Sequence, residues 1–192
     1  KSLRCATLFC SFFLLSNLLQ AQDPNWKFTS PSNFPTNISG QINGIGRVCQ
    51  IKFDPTDSST IYACSATGGL WKSINEGNTW QLVGTDTLPI MGTSSVCIDY
   101  TNPDIIYLSS GDPNYYNTDF GIWKSMDGGQ TWALANNGID TRMAVEILMD
   151  PTNHLHLIAA TNNGIWKTTD GGMTWQVKLA SFQCTDMMWQ PV

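Results

Sequence analysis

From about Arg47 onward, apolar and polar residues alternate over short runs, and each run is closed by Asp, Asn, Gly or Pro. A period of two marks half-buried strands, and the closing residues mark turns. Three stretches repeat one order of runs. "IKFDPTDSSTIYACSATGGLWKSINEGNTWQLV" matches "VCIDYTNPDIIYLSSGDPNYYNTDFGIWKSMDGGQTWALA", and both match "ILMDPTNHLHLIAATNNGIWKTTDGGMTWQVKL". Asp54, Asp99 and Asp150 correspond, as do Trp71, Trp123 and Trp166. Each unit is expected to hold four strands. The first ends at the aligned Asp, and the second contains Ile61-Tyr62, Ile106-Tyr107 or Leu157-Ile158. The third is the G-[LI]-W-K segment, and the fourth starts at the T-W pair.

Inside each unit an eight-residue phrase returns: "SINEGNTW" from Ser73, "SMDGGQTW" from Ser125 and "TTDGGMTW" from Thr168, spaced by 52 and 43 residues. Four strands per period of about 40–50 residues are the signature of propeller blades. The predicted fold is all-β, a β-propeller of four-stranded antiparallel blades over residues 47–84, 92–136 and 142–180. "CTDMMWQPV" aligns with "VCQIKFDPT", so residues 181–192 are expected to open a further blade. Three and a quarter blades leave a raw sheet edge, and the chain reads as the N-terminal part of a longer protein.

The phrase suits a hairpin between third and fourth strands. Asp127 or Asp170 can accept turn N–H groups as an Asx-turn does, and Asn75 can do so through its amide oxygen. Gly77, Gly129 and Gly172 can take positive φ without steric cost. Ser73, Ser125 and Thr168 add a hydroxyl bond, while Trp80, Trp132 and Trp175 pack over the turn. A carboxylate engaged by turn N–H groups is a poor catalyst, so these positions are expected to be structural.

The phrase resembles the Asp-box, or BNR, repeat. The fuller unit "DPT…IYA…GGLWKS…G.TW" resembles propellers of sortilin-like proteins and of secreted bacterial Asp-box proteins. It is similar, more distantly, to xyloglucanase-type glycoside hydrolases and to sialidases. The match covers about residues 47–192. It implies a propeller and leaves the activity open, since one scaffold hosts many functions. A sialidase-like site would need an arginine triad. Arg47 and Arg142 precede their first strands, but the third equivalent region has Ser94 and Ser95, and the Arg-Ile-Pro signature is missing.

The first residues, "KSLRCATLFCSFFLLSNLLQAQ", have the anatomy of a secretory signal peptide with cleavage after Ala21, leaving residues 22–46 as an N-terminal segment. The apolar run is shorter than the roughly 20 residues a spanning helix needs, so no transmembrane span is expected after processing. The chain is therefore expected to be secreted or at the cell surface. Losing Lys1 and Arg4 leaves eight basic against fifteen acidic residues, a net charge of −7. That sign, without a basic cluster, argues against nucleic acid as partner. Cys49, Cys64, Cys97 and Cys184 are too dispersed for a zinc site; Cys49 and Cys64 either pair across neighbouring strands or stay buried thiols. No cofactor or metal is expected.

One connection is expanded. Tyr107 and Trp123 are 16 residues apart, against 9 from Tyr62 to Trp71 and 8 from Ile158 to Trp166. The inserted "GDPNYYNTDFG" holds Asp112, Tyr115, Tyr116, Asn117 and Asp119. Aromatics beside carboxylates suit sugar rings or a protein partner, can ligate calcium, or simply cover a neighbour. Arg47 and Arg142 belong to the same end of the blades, where variable loops usually carry function. Glu146 falls in register with Gln50, Ser95 and Asp186, and such a polar column is expected to line a wet channel. Glu146 and Asp186 are the weak catalytic candidates for glycoside hydrolysis, which needs two acids. His154 and His156, expected in a loop and in a second strand, have no nucleophile beside them in any motif and read as structural. Three classes stay open: a binding scaffold for protein or carbohydrate, which leads; a glycoside hydrolase with part of its site beyond residue 192; and a purely structural surface or adhesin module.

Overall fold

The computed structural model describes residues 46–112, 121–139, 143–181 and 183–189. They form three four-stranded antiparallel sheets, each taking its strands in chain order. The first contains β1 (Val48–Phe53), β2 (Ile61–Ser65), β3 (Gly69–Ser73) and β4 (Gln81–Leu82). The second contains β5 (Thr93–Ile98), β6 (Ile106–Ser110), β7 (Ile122–Ser125) and β8 (Ala133–Leu134). The third contains β9 (Ala144–Asp150), β10 (Asn153–Thr161), β11 (Gly164–Thr168) and β12 (Gln176–Ala180). The leading segment 1–45, with the expected signal sequence, lies outside the described residues.

Alternation gives the middle sheet two apolar faces. Val96, Ile98, Ile106 and Leu108 turn toward the first sheet and join Tyr62, Leu70 and Val83 in one core. Cys97, Tyr107 and Ile122 turn the other way and join Ile147, Leu157 and Trp175 in a second. Stacking on both faces is what a period of two demands of a sheet between two others. The first strands pack side by side, β1 on β5 and β5 on β9, so the sheets fan out from a shared inner edge. They are consecutive blades of a partial β-propeller.

Each inner strand ends on the same Asx-turn. The Oδ1 atoms of Asp54, Asp99 and Asp150 accept the N–H and the hydroxyl of Thr56, Thr101 and Thr152, at 2.8 and 2.7 Å in every case. The hairpin after each third strand is tied to this region by Glu76 N–H to Ser59 O, Gly128 N–H to Asp104 O and Gly171 N–H to Leu155 O, at 2.9–3.0 Å. Both loop sets therefore share one end of the blades. Among the described residues, the far ends of the second strands and the link after the first blade occupy the other end, where Gly111 N–H meets Gly92 O at 2.8 Å. Near that end every inner strand bulges, between Val48 and Gln50, between Thr93 and Ser95, and between Ala144 and Glu146.

Three local expectations are corrected. The fourth strands begin at Gln81, Ala133 and Gln176, one residue past each Trp, because the Trp closes the turn. His154 and His156 both lie in β10, whose hairpin with β9 leaves only residues 151 and 152 between the strands. Residues 183–189 form no strand, and their recorded backbone tie is Cys184 N–H to Thr161 O at 3.2 Å. A strand needs a ladder partner, and β1, β5 and β9 each pair with the strand that follows them.

Candidate functional site

The repeated turns consume their polar groups internally. Asp127 Oδ1 accepts the Thr131 N–H at 2.9 Å and Oδ2 the Thr131 hydroxyl at 2.5 Å. Ser125 Oγ accepts the N–H groups of Asp127 and Gly129 at 3.2 and 2.8 Å and donates to Asp127 Oδ1 at 2.8 Å. Thr168, Asp170, Gly172 and Thr174 reproduce this set. In the first turn, Ser73 Oγ accepts the Gly77 N–H and Asn75 Oδ1 the Thr79 N–H. Asn75 Nδ2 donates to Thr79 Oγ1 at 2.8 Å, so there the hydroxyl accepts. The third glycine-position residues Gly77, Gly129 and Gly172 sit at φ of 83°, 93° and 82°, where a side chain is strained.

The indoles do more than cover their own turns. Trp132 Nε1 donates to Val83 O at 3.2 Å, and Trp175 Nε1 to Ala135 O at 2.9 Å. Both acceptors sit just past the outer strand of the preceding blade. Trp80, in the first blade, bonds within its own turn, to Gly77 O at 3.0 Å.

The turn bonds hold Asp127 down to about 2, chiefly through the Thr131 hydroxyl, and Asp170 to about 2, chiefly through the Thr168 hydroxyl. A carboxylate depressed in the folded chain stabilises it above the unfolded value near 3.9, and that contribution is lost as pH falls toward about 2. Tm should therefore drop across this window. The drop should shrink in an Asp127→Asn, Asp170→Asn double variant, whose amides copy Asn75; an undiminished drop contradicts the assignment.

At the inner edge, Gln50, Ser95 and Glu146 follow the three bulges; Gln50 and Ser95 reach the next blade, while Glu146 reaches across the inner edge to the first. Gln50 Oε1 accepts the Val96 N–H at 2.7 Å, and Ser95 Oγ accepts the Ile147 N–H at 3.0 Å. Gln50 Nε2 donates to Glu146 Oε2 at 2.5 Å, and Lys52 Nζ to Glu146 Oε1 at 2.9 Å. The expected wet column is thereby corrected. Ser95 is fully buried because it bridges to the next blade, and the Glu146 side chain is only 12% exposed because Gln50 and Lys52 of the first blade close over it. Asp186 is not in the column; it is exposed and in no strand. Lys52, missed in the sequence, stands two residues after Gln50 on the same strand, which is the spacing that places it on the same face.

At the other candidate region, Arg47 Nη2 meets Asp112 Oδ1 at 2.5 Å, joining the start of β1 to the segment after β6. The Asp112 hydrogen bond raises the guanidinium pKa further. Arg47 is 47% exposed and Asp112 23%. Tyr115, Tyr116, Asn117, Asp119 and Arg142 lie outside the described residues.

The remaining chemistry-bearing groups are tied to packing. His154 Nδ1 lies 2.8 Å from Asp99 Oδ2, bridging the third and second blades, with Tyr100 edge-on. His156 faces Asp150 at 3.7 Å. The four described cysteines are free, and burial pushes the Cys97 thiol up to about 12 and Cys64 higher still. Among the described residues, no group of three or more His, Cys, Asp or Glu gathers as a metal site, and no helix is long and apolar enough to cross a membrane.

No protein-family model and no curated protein matches the chain. Solved structures do. An ancestral GH74 enzyme superposes with a TM-score of 0.60 at 22% identity, over 72% of this chain and 19% of its own. The GH74 enzyme of Niastella koreensis gives 0.52 at 23%, over 68% and 22%. The GH74 xyloglucanase of Xanthomonas campestris gives 0.53 at 22%, over 71% and 21%. The chain thus spans about a fifth of the length of these structures, and at such identity the likeness is one of fold.

Proposed function

We propose that the chain is part of a secreted Asp-box (BNR) propeller, sortilin-like in its repeat. It works as a binding scaffold for a protein or glycan through the blade end bearing Arg47 and Asp112. The observation that carries this reading is the condition of the acids. Both oxygens of Glu146 are held by donors, and Asp186 stands apart in an exposed tail. A hydrolase needs two carboxyls facing one bond with one of them able to give a proton. The Arg47–Asp112 pair instead presents charge to solvent at the foot of the expanded connection. Arg is a frequent anchor of binding surfaces.

A second reading, a glycoside hydrolase, is supported by the fold likeness to GH74 enzymes, one of them a xyloglucanase. In that reading Glu146 supplies one carboxyl and the second comes from Asp186 or from undescribed residues. The full-length product, probed on glycan and protein arrays, should bind a ligand and lose about tenfold in affinity in an Arg47→Ala, Asp112→Ala variant. It should show no turnover of β-glucans. Turnover abolished by Glu146→Gln would replace the first reading with the second.

A further inference from the structure

One groove recurs at the same place in all three blades, and the third copy of it lacks a wall. In the first blade it runs beside Lys72, Gln81 and Val83, and in the second beside Lys124, Ala133 and Ala135. The opposite wall comes each time from the hairpin of the following blade: Gly128 and Gln130 for the first, Gly171, Gly172 and Met173 for the second. Lys167, Gln176 and Lys178 hold the same three places in the third blade, and no residue of another blade lines the groove with them. What remains there measures about 80 Å³, against about 310 and 200 Å³ in the closed grooves. The apolar face around it is also open. Leu148, Ile158 and Ile165 are only partly buried, where Cys97, Tyr107 and Ile122 of the second blade are buried. The first sheet has the converse open face. Ile51 and Phe53 are 58% and 60% exposed, while Val96 and Ile98, and Ile147 and Met149, are buried at the same register in the two internal seams.

We infer that the open face of the third sheet is a docking surface for a second copy of this chain, which lays its first sheet there and completes the groove with its first hairpin. Both internal seams join these two kinds of face, so the contact repeats a packing that the chain already uses twice. The first and third sheets flank the second with these faces outward, so one copy cannot join its own two. Charge selects the first hairpin as the missing wall. Gly128 and Gly171 share their grooves with Lys72 and Lys124, and the residue at their position in the first hairpin is Glu76. The third groove in turn carries two lysines, because Lys178 stands where Val83 and Ala135 stand. Glu76 is exposed, and among the described residues none of Glu76, Lys167 and Lys178 has an ion-pair partner. Docking brings the carboxylate to two ammonium groups and covers Ile51 and Phe53 with Leu148, Ile158 and Ile165. The Trp80 indole stays on Gly77 O, so charge and apolar burial carry the contact. The two faces differ, and the association is therefore head to tail, first sheet on third.

Sedimentation equilibrium of the whole chain tests this. The mass should rise above that of one copy with concentration. Glu76→Lys and Lys167→Glu should each weaken self-association at least about tenfold, since like charges then face each other. Both side chains lie on open surface, so each variant should keep the parent Tm. An equimolar mixture of the two variants should associate again, because the unaltered Glu76 of one meets the unaltered Lys167 and Lys178 of the other. A single-copy mass at every concentration up to about 1 mM would overturn the assignment and leave the face to a different partner. Single variants that associate as strongly as the parent, or a mixture that associates no better than its components, would overturn it as well.

Discussion

Trp175→Ala is expected to lower the unfolding free energy by about 3–5 kcal/mol, the range for deleting a buried aromatic side chain. The ring is 3% exposed and belongs to the core between the second and third blades. Its Nε1–H is the donor to Ala135 O, so truncation also leaves that carbonyl without this partner. Trp175→Phe keeps most of the apolar burial and isolates the hydrogen bond, for a loss of about 0.5–1.5 kcal/mol. Trp80→Ala should cost clearly less than Trp175→Ala, since Trp80 is only partly buried and bonds within its own turn. Urea unfolding of the three variants measures the differences. Equal losses at Trp80 and Trp175 would contradict the role of the later indoles as stitches between blades.

Gly129→Ala should lose about 2–4 kcal/mol, from two causes that add. At φ 93° the alanine is strained. Its Cβ would also collide with Val83 Cγ1, in the preceding blade. Val83 is buried and β-branched, so it cannot easily turn away, and overpacking of this kind typically costs about 1–3 kcal/mol. The neighbouring Gly128→Ala separates the causes. It carries similar strain, at φ 71°, but meets only Asp104 Oδ1 at ordinary van der Waals distance. The same urea experiment should therefore rank Gly129→Ala well below Gly128→Ala. Similar losses would mean that the turn is strained but does not press on the seam.

The contrast between local and cross-blade contacts decides what is legible in the sequence. Strand order, the turns and the propeller architecture can be read because their causes lie within a few residues: alternation, an Asp two residues before a Thr, a glycine at positive φ. Contacts across a seam depend on which blade stands beside which. The indoles of Trp132 and Trp175 look identical to that of Trp80 in their phrases, yet they bond one blade back. Alignment puts Gln50, Ser95 and Glu146 in one register, but shows neither the bulges before them nor that two of them reach neighbouring backbone while Glu146 meets the side chains of Gln50 and Lys52. Arg47 and Asp112 are both visible as exposed charges near one end of the blades, while their pairing over 65 residues of chain needs the folded arrangement. The segment 183–189 matches the first strand of a blade in pattern, and pattern alone supplies no ladder partner.

The most direct test of the account is the set of NOEs from the indole Nε1–H protons in an isotope-labelled sample. Trp132 should show cross-peaks to residues around Val83, and Trp175 to residues around Ala135, while Trp80 sees only its own turn. Indole protons of Trp132 and Trp175 that see nothing beyond their own hairpins would contradict the stacking of the three sheets about a shared inner edge.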